Sequence, residues 1–211
     1  MLDDTSGGDP AARGTVHIVD DDPMVGRTLA SLARSAGIEA RSHVSAEAFL
    51  RSFDPETTGC VVTDARMPGM SGVELQRAVK ARDAATAVII ITGHAAASLA
   101  VEALKGGAVD FIEKPVKSEE FLSAVRDAVA TTRRSAEDLR AYEAVADRAA
   151  QLSVREREVM DLVVAGHSSP VIAGELGISV RTVESHRARV MEKMGAGGLA
   201  DLVRMGLRLA R

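Results

Sequence analysis

Four apolar runs in this chain break off at polar side chains, and that repeated figure restricts the fold more than any other feature. Val16-His-Ile-Val19 runs into Asp20-Asp21-Asp22, Gly59-Cys-Val-Val-Thr63 into Asp64, Val88-Ile-Ile-Ile91 into Thr92-Gly93-His94, and Val109-Asp-Phe-Ile112 into Glu113-Lys114-Pro115. Short apolar runs bounded by turn residues read as buried strands. Segments with helical spacing separate them, and that alternation predicts a parallel sheet wound by helices on both faces. In an open α/β sheet, ligands bind outside the carboxyl ends of the strands. Asp20, Asp21, Asp64, the Thr92 hydroxyl and Lys114, drawn from four separate runs, therefore converge on one crevice, with Asp64 at its centre.

Taken in order, residues 1–14 carry Gly7-Gly8 and Asp9-Pro10 with little apolar material and read as a flexible tail. Asp22 caps a helix with Pro23 at its first position, and Leu29, Leu32, Ala33 and Ala36 give that helix an inward stripe. A weak strand over Ile38–Ser42 and a helix from the Ser45 cap to Phe53 follow. Helices over Val73–Ala81, Ala95–Lys105 and Glu119 to about Arg134, the last capped by Ser118, complete five strands and five helices over 15–130. Residues 131–150 contain no Gly or Pro and carry the sparse stripe Leu139, Tyr142, Val145 and Ala149, so a helical linker is expected there. Residues 151–211 form a second unit. Ser153-Val-Arg-Glu156 is a capping box, Ser169-Pro170 opens a short helix closed by Gly177, Ser179 caps a helix from Val180 to Met194, and Leu199–Leu209 supplies another. Two short capped helices around a glycine turn are the signature of a helix-turn-helix.

Charge separates the two units. Residues 1–128 hold 13 Lys and Arg against 19 Asp and Glu, whereas residues 129–211 hold 13 against 11. The acidic part is a poor match for nucleic acid and the mildly basic part a better one. No apolar run reaches the 18 or so residues of a membrane span, and the acidic start Met-Leu-Asp-Asp-Thr lacks the pattern of a signal peptide, so no membrane association and a cytoplasmic location are expected. The lone Cys60 sits in a strand among apolar neighbours and reads as a structural thiol.

A phosphoryl group moving onto Asp64 needs a cation to neutralise its oxygens, and Mg²⁺ prefers carboxylates, carbonyls and water. Asp20 and Asp21 supply carboxylates. Lys114 can pair with a phosphoryl oxygen, and the Thr92 hydroxyl can hydrogen-bond another. The runs VDDD, VVTDARMPGMSG, ITGH and DFIEKP, in that order, resemble the receiver domain of two-component response regulators, a flavodoxin-like doubly wound five-stranded sheet. That resemblance implies Asp64 as phosphoacceptor, and Asp20, Asp21, Asp64 and the backbone carbonyl of Arg66 as Mg²⁺ ligands. It also implies Thr92 and Lys114 as active-site residues, Thr92 and Phe111 as the switch pair, and a cis Lys114-Pro115 bond. His94 reads as an exposed loop residue; Met24, Met67 and Met70 read as packing and loop residues.

In a helix-turn-helix the second helix enters the major groove with its amino-terminal turns toward base edges. Here that helix is Val180–Met194. Val183, Val190, Met191 and Met194 face inward, which leaves Arg181, Thr182, Glu184, Ser185, Ala188 and Arg189 for DNA. Glu184 repels phosphate but can accept from cytosine N4, which favours base readout over a generic basic grip. The run LSVREREVMDLVVAGH to IAGELGISVRTVESHRARVMEKM resembles the all-α effector domain of the FixJ and LuxR type. It departs from that pattern at Ser169-Pro170, where relatives commonly carry Asn-Lys: serine can still cap, but a charge is lost. Together the resemblances imply a non-enzymatic, phosphorylation-dependent transcriptional regulator. Its partners would be a sensor histidine kinase, duplex DNA, a second copy of itself on phosphorylation, and RNA polymerase. Two rival readings are a Mg²⁺-dependent phosphohydrolase using Asp64 as nucleophile, for which no cap-like insertion is visible, and a phosphorylation-dependent protein-interaction module.

Overall fold

A computed structural model of the chain describes residues 14–93 and 97–210, so the expected tail up to Arg13, His94 and the expected helix start at Ala95 lie outside the described residues. The first unit holds β1 (Thr15–Val19), α1 (Pro23–Ser35), β2 (Ala40–His43), α2 (Ala46–Ser52), β3 (Thr58–Asp64), α3 (Gly72–Arg82), β4 (Ala87–Thr92), α4 (Ala97–Lys105) and β5 (Asp110–Glu113). α5 (Ser118–Ala150) follows, and the division into two compact units falls within it, between Ala136 and Glu137. The second unit holds α6 (Val154–Val164), α7 (Ser169–Leu176), α8 (Val180–Met194) and α9 (Leu199–Leu209).

All strand pairings in the first unit are parallel, in the order β2-β1-β3-β4-β5. The central strands are buried on both faces, and for that reason they read as unbroken apolar runs instead of alternating ones. Alternation reappears in what each side chain meets. Val62, Ile89 and Ile91 pack with Leu29 and Ala33 of α1 and with Phe121, Val125 and Ala128 of α5. Val61 and Val88 pack on the other face with Phe49 of α2 and Leu75 and Val79 of α3. Each buried Val, Leu, Ile or Phe among them stabilises the fold by roughly 1.5–3 kcal/mol relative to its exposed state. Phe121, Ala124, Val125 and Ala128 recur at helical spacing, so α5 shows the sheet one continuous stripe. Cys60 is fully buried, and burial pushes its thiol up to about 12.

Two strands sit later in the chain than the residues suggest. β2 covers Ala40–His43 rather than starting at Ile38, and β5 covers Asp110–Glu113 rather than starting at Val109, because pairing with the neighbouring strand, not apolar content, sets where a strand begins. Val109, placed in the strand by its side chain, lies before it and is exposed. Where β1 meets β2, Nδ1 of His17 and Nε2 of His43 approach to 2.9 Å, and both rings lie against Phe49. Burial first, then His43 and then Arg41, lowers the His17 pKa to about 4.

In the second unit, Val145 and Ala149 of α5 share a core with Val159, Met160 and Val163 of α6, Ile172 of α7, Val183, Val190 and Met194 of α8, and Leu202 of α9. Leu139 and Tyr142, from the same expected stripe, are exposed. On α9, Leu202 is buried and Met205 partly so, whereas Leu207 is exposed. The Ser153 and Glu156 capping box forms, and Lys193 donates to Glu156 at 2.6 Å. That ammonium bond, with the capping bonds of Ser153, draws the Glu156 pKa down to about 2.

Candidate phosphoacceptor site and nucleic-acid interface

Because the strands are parallel, their carboxyl ends share one edge, where Asp64 ends β3, Asp20 follows β1 and Lys114 follows β5. Lys114 Nζ donates to Asp64 Oδ2 at 3.0 Å and to Asp20 Oδ2 at 3.1 Å. Asp20, Asp21 and Asp64 each present a carboxylate oxygen within 4.8 Å of the others. Asp20 is buried, Asp64 half-buried and Asp21 exposed, so the cluster opens to solvent on one side. Asp22 takes no part in it: its side chain accepts from the Met24 N–H and caps α1, as Pro23 predicts.

Burial raises the Asp20 pKa, although the Asp22 N–H and the Lys114 ammonium both favour its charge. Burial also works against the Lys114 charge, but bonds to two carboxylates outweigh it and the pKa rises. One cation therefore holds together two acids that would otherwise repel each other.

Two close contacts set the backbone around Asp64. Gly72, the first residue of α3, approaches so closely that a Cβ there would lie 2.2 Å from the Asp64 carbonyl oxygen, so only glycine lets α3 begin against the end of β3. Glu47 of α2 accepts from the Met70 N–H at 3.2 Å and braces the loop that follows Asp64. No sequence spacing points to Glu47, since 23 residues separate it from its partner. The Arg66 N–H lies 3.4 Å from Asp64 Oδ1, and the Arg66 side chain is exposed. Thr92 is buried at the end of β4, and its carbonyl accepts from the Lys114 N–H at 2.7 Å. Phe111, paired with Ile90 in the sheet, is half-buried and packs against a cluster that includes Ala65, Ala103 and Ala108. The Lys114-Pro115 bond is cis.

Within the second unit, α7 and α8 are joined through Gly177, which takes the left-handed conformation. Arg181, Thr182, Glu184, Ser185, Ala188 and Arg189 are all exposed, while Val183, Val190 and Met194 are buried and Met191 is partly so. The Thr182 hydroxyl lies 2.8 Å from Ser179, the cap of α8. Ser168 rather than Ser169 occupies the cap position of α7, without a side-chain bond. The expected capping role of Ser169 is therefore not seen. Its hydroxyl instead donates to Glu184 Oε1 and accepts from Arg187 Nη1 at 3.1 Å. Neither Ser169 nor Arg187 stood out as a functional candidate in the sequence, where the only signal was the odd Ser-Pro pair.

Residues 16–126 match the response regulator receiver domain family, and residues 150–206 match the luxR family of bacterial regulatory proteins. The chain is 50% identical over 195 residues to the transcriptional regulatory protein FixJ of Azorhizobium caulinodans, covering 91% of each chain. It is 47% identical over 201 residues to FixJ of Rhizobium meliloti, covering 92% of this chain and 95% of that one. Among solved structures it is similar to the response regulator StyR, with a TM-score of 0.78 and 36% identity over 92% of this chain and 98% of that one. Full-length FixJ from B. japonicum gives a TM-score of 0.56 and 40% identity over 94% and 98%. With a receiver domain whose strand ends gather Asp20, Asp64 and Lys114, followed by a luxR-family helical domain, the chain belongs to the FixJ-type response regulators of two-component systems.

Proposed function

We propose that this protein is a phosphorylation-dependent transcriptional regulator, in which a sensor histidine kinase phosphorylates Asp64 and the phosphorylated chain binds duplex DNA through α8. The observation that carries this reading is the bond of one ammonium, Lys114 Nζ, to both Asp20 and Asp64, which builds a compact acid site in the same chain as a helix-turn-helix. Residues 15–130 would act as the receiver, 131–150 as the helical connection and 151–211 as the effector.

In the transfer, an Asp64 carboxylate oxygen forms a bond to phosphorus as the bond from phosphorus to the kinase's imidazole nitrogen breaks, and the electron pair stays on that nitrogen. Lys114, already beside Asp64, pairs with a phosphoryl oxygen. The three clustered carboxylates are hard oxygen donors and suit Mg²⁺, which Asp20, Asp21, Asp64 and the Arg66 carbonyl would hold. The ion supplies neutralisation of the phosphoryl charge. Thr92 would hydrogen-bond a phosphoryl oxygen, and Phe111 would fill the space vacated, altering the surface made by α4, β5 and α5. Pairing of two receivers through that surface would raise DNA affinity by linking two effectors, without new base contacts. RNA polymerase is the partner expected once the regulator sits on DNA, and the cytoplasm is where those partners meet.

Labelling with acetyl phosphate tests the site. Wild type should form an acyl phosphate that chelation of Mg²⁺ suppresses, and Asp64→Asn should form none. Equal labelling of the variant would place the phosphate elsewhere.

A further inference from the structure

Ser169, on α7, is buried, yet its hydroxyl is bonded to two charged side chains of α8: Glu184 and Arg187. The chemistry fixes the direction of both bonds. Arg187 can only donate, so the serine oxygen must accept from it, and the single hydroxyl proton is left for Glu184. The result is a directed chain from guanidinium to hydroxyl to carboxylate, with each bond strengthening the next. It joins the two helices of the helix-turn-helix at the exposed residue whose carboxylate can read a base.

We infer that Ser169 is a positioning residue for sequence recognition: its hydroxyl, backed by Arg187, fixes the Glu184 carboxylate as a base acceptor. This rests on the reading of α8 as the helix that contacts bases. A free glutamate side chain has several rotamers, and immobilising it on DNA carries an entropic cost. Holding Oε1 on Ser169 removes much of that cost before DNA arrives and leaves Oε2 to accept from cytosine N4, the donor that a carboxylate matches in the major groove. The pairing also balances charge. Glu184 alone would repel phosphate, whereas Arg187, linked to it through one oxygen, offsets that repulsion without occupying the acceptor. The Ser-Pro pair at 169–170 thus carries a function different from capping: Pro170 suits the first turn of α7, and Ser169 turns its hydroxyl toward α8.

The test uses the full chain, phosphorylated with acetyl phosphate, on duplexes recovered by selection from random DNA and then varied one base pair at a time. Glu184→Ala first locates the position where base preference depends on the carboxylate. At that position Ser169→Ala should reduce discrimination about tenfold, the order of one hydrogen-bonded base contact, with affinity for unrelated duplexes and the salt slope unchanged. Ser169→Asn, whose amide can again donate to Glu184, should recover most of the loss. Full discrimination in Ser169→Ala would overturn the inference while leaving the Glu184 contact intact. An equal loss on specific and unrelated duplexes would show a merely structural serine and would also overturn it. If Glu184→Ala leaves every base preference unchanged, the base-reading role of Glu184 fails, and the positioning role fails with it.

Discussion

Lys114 Nζ and Asp64 Oδ2 lie 3.0 Å apart although 50 residues separate them, and the same ammonium reaches Asp20. Lys114→Ala should leave Asp20 and Asp64 facing each other without a cation between them and remove the partner of a phosphoryl oxygen. Loss of one such charge-assisted bond at a reacting centre is worth about 1.5–3 kcal/mol, so labelling by acetyl phosphate should slow by roughly tenfold to 150-fold. Timed labelling checks this, and a wild-type rate would separate Lys114 from the transfer step.

Arg181 and Arg189 stand exposed on α8, on the side away from Val183, Val190 and Met194. If either reads a base, its change to alanine should cost about 1–3 kcal/mol of discrimination at one position. A phosphate contact would instead weaken all duplexes alike and reduce the salt slope by about one. Titrations at several salt concentrations distinguish these outcomes. Unchanged affinity in both variants would move the interface off α8.

The His17 and His43 pair predicts an acid sensitivity unrelated to phosphate. The ordinary histidine pKa is 6.5, and His17 is lowered to about 4 in the folded chain. Between those values the unfolded chain holds a proton that the folded one does not, so stability is complete above about 6.5 and falls as pH drops toward 4. Urea unfolding of the receiver as a function of pH should show that loss in wild type and a smaller loss in His17→Gln. Parallel pH profiles for the two proteins would mean that His17 does not set the sensitivity.

Thr92 is buried at the end of β4, and Phe111 is only half-buried one strand away. Thr92→Val keeps the volume but deletes the hydroxyl that would meet the phosphate. The variant should accept phosphate and yet lose most of the rise in dimer content and DNA affinity. Moving a population from 1:99 to 99:1 needs about 5.5 kcal/mol, and a missing phosphate bond removes a substantial part of it. Sedimentation of phosphorylated Thr92→Val settles the matter; dimerisation equal to that of wild type would route the switch around Thr92.

The sheet and its acid edge are readable from residues because local signals agree there: apolar runs, caps and polar stops all mark the same strand ends. Asp22 shows the power of such a signal, since a following proline separates a cap from a member of the acid cluster. Contacts between distant elements leave no such trace. Glu47 bracing Met70, and Gly72 pressed against the Asp64 carbonyl, depend on how α2 and α3 pack. The carboxyl-terminal part of α5 is similar. Its residues look like a sparse stripe on a linker, but Val145 and Ala149 are buried in the second unit, and Arg148 donates to the Met194 carbonyl at 3.0 Å. Ser169 is opaque for a related reason: a serine beside a proline at a helix start suggests a cap, and only the packing of α8 reveals a better partner.

Phosphorylation of Asp64 should control DNA binding by the helical domain. The most direct test is a DNA titration of wild type and Asp64→Asn, each with and without acetyl phosphate, on a duplex recovered by selection. Acetyl phosphate should raise the affinity of wild type and leave Asp64→Asn at the unphosphorylated level. An equal gain in both proteins, or no gain in wild type that carries the acyl phosphate, would contradict it.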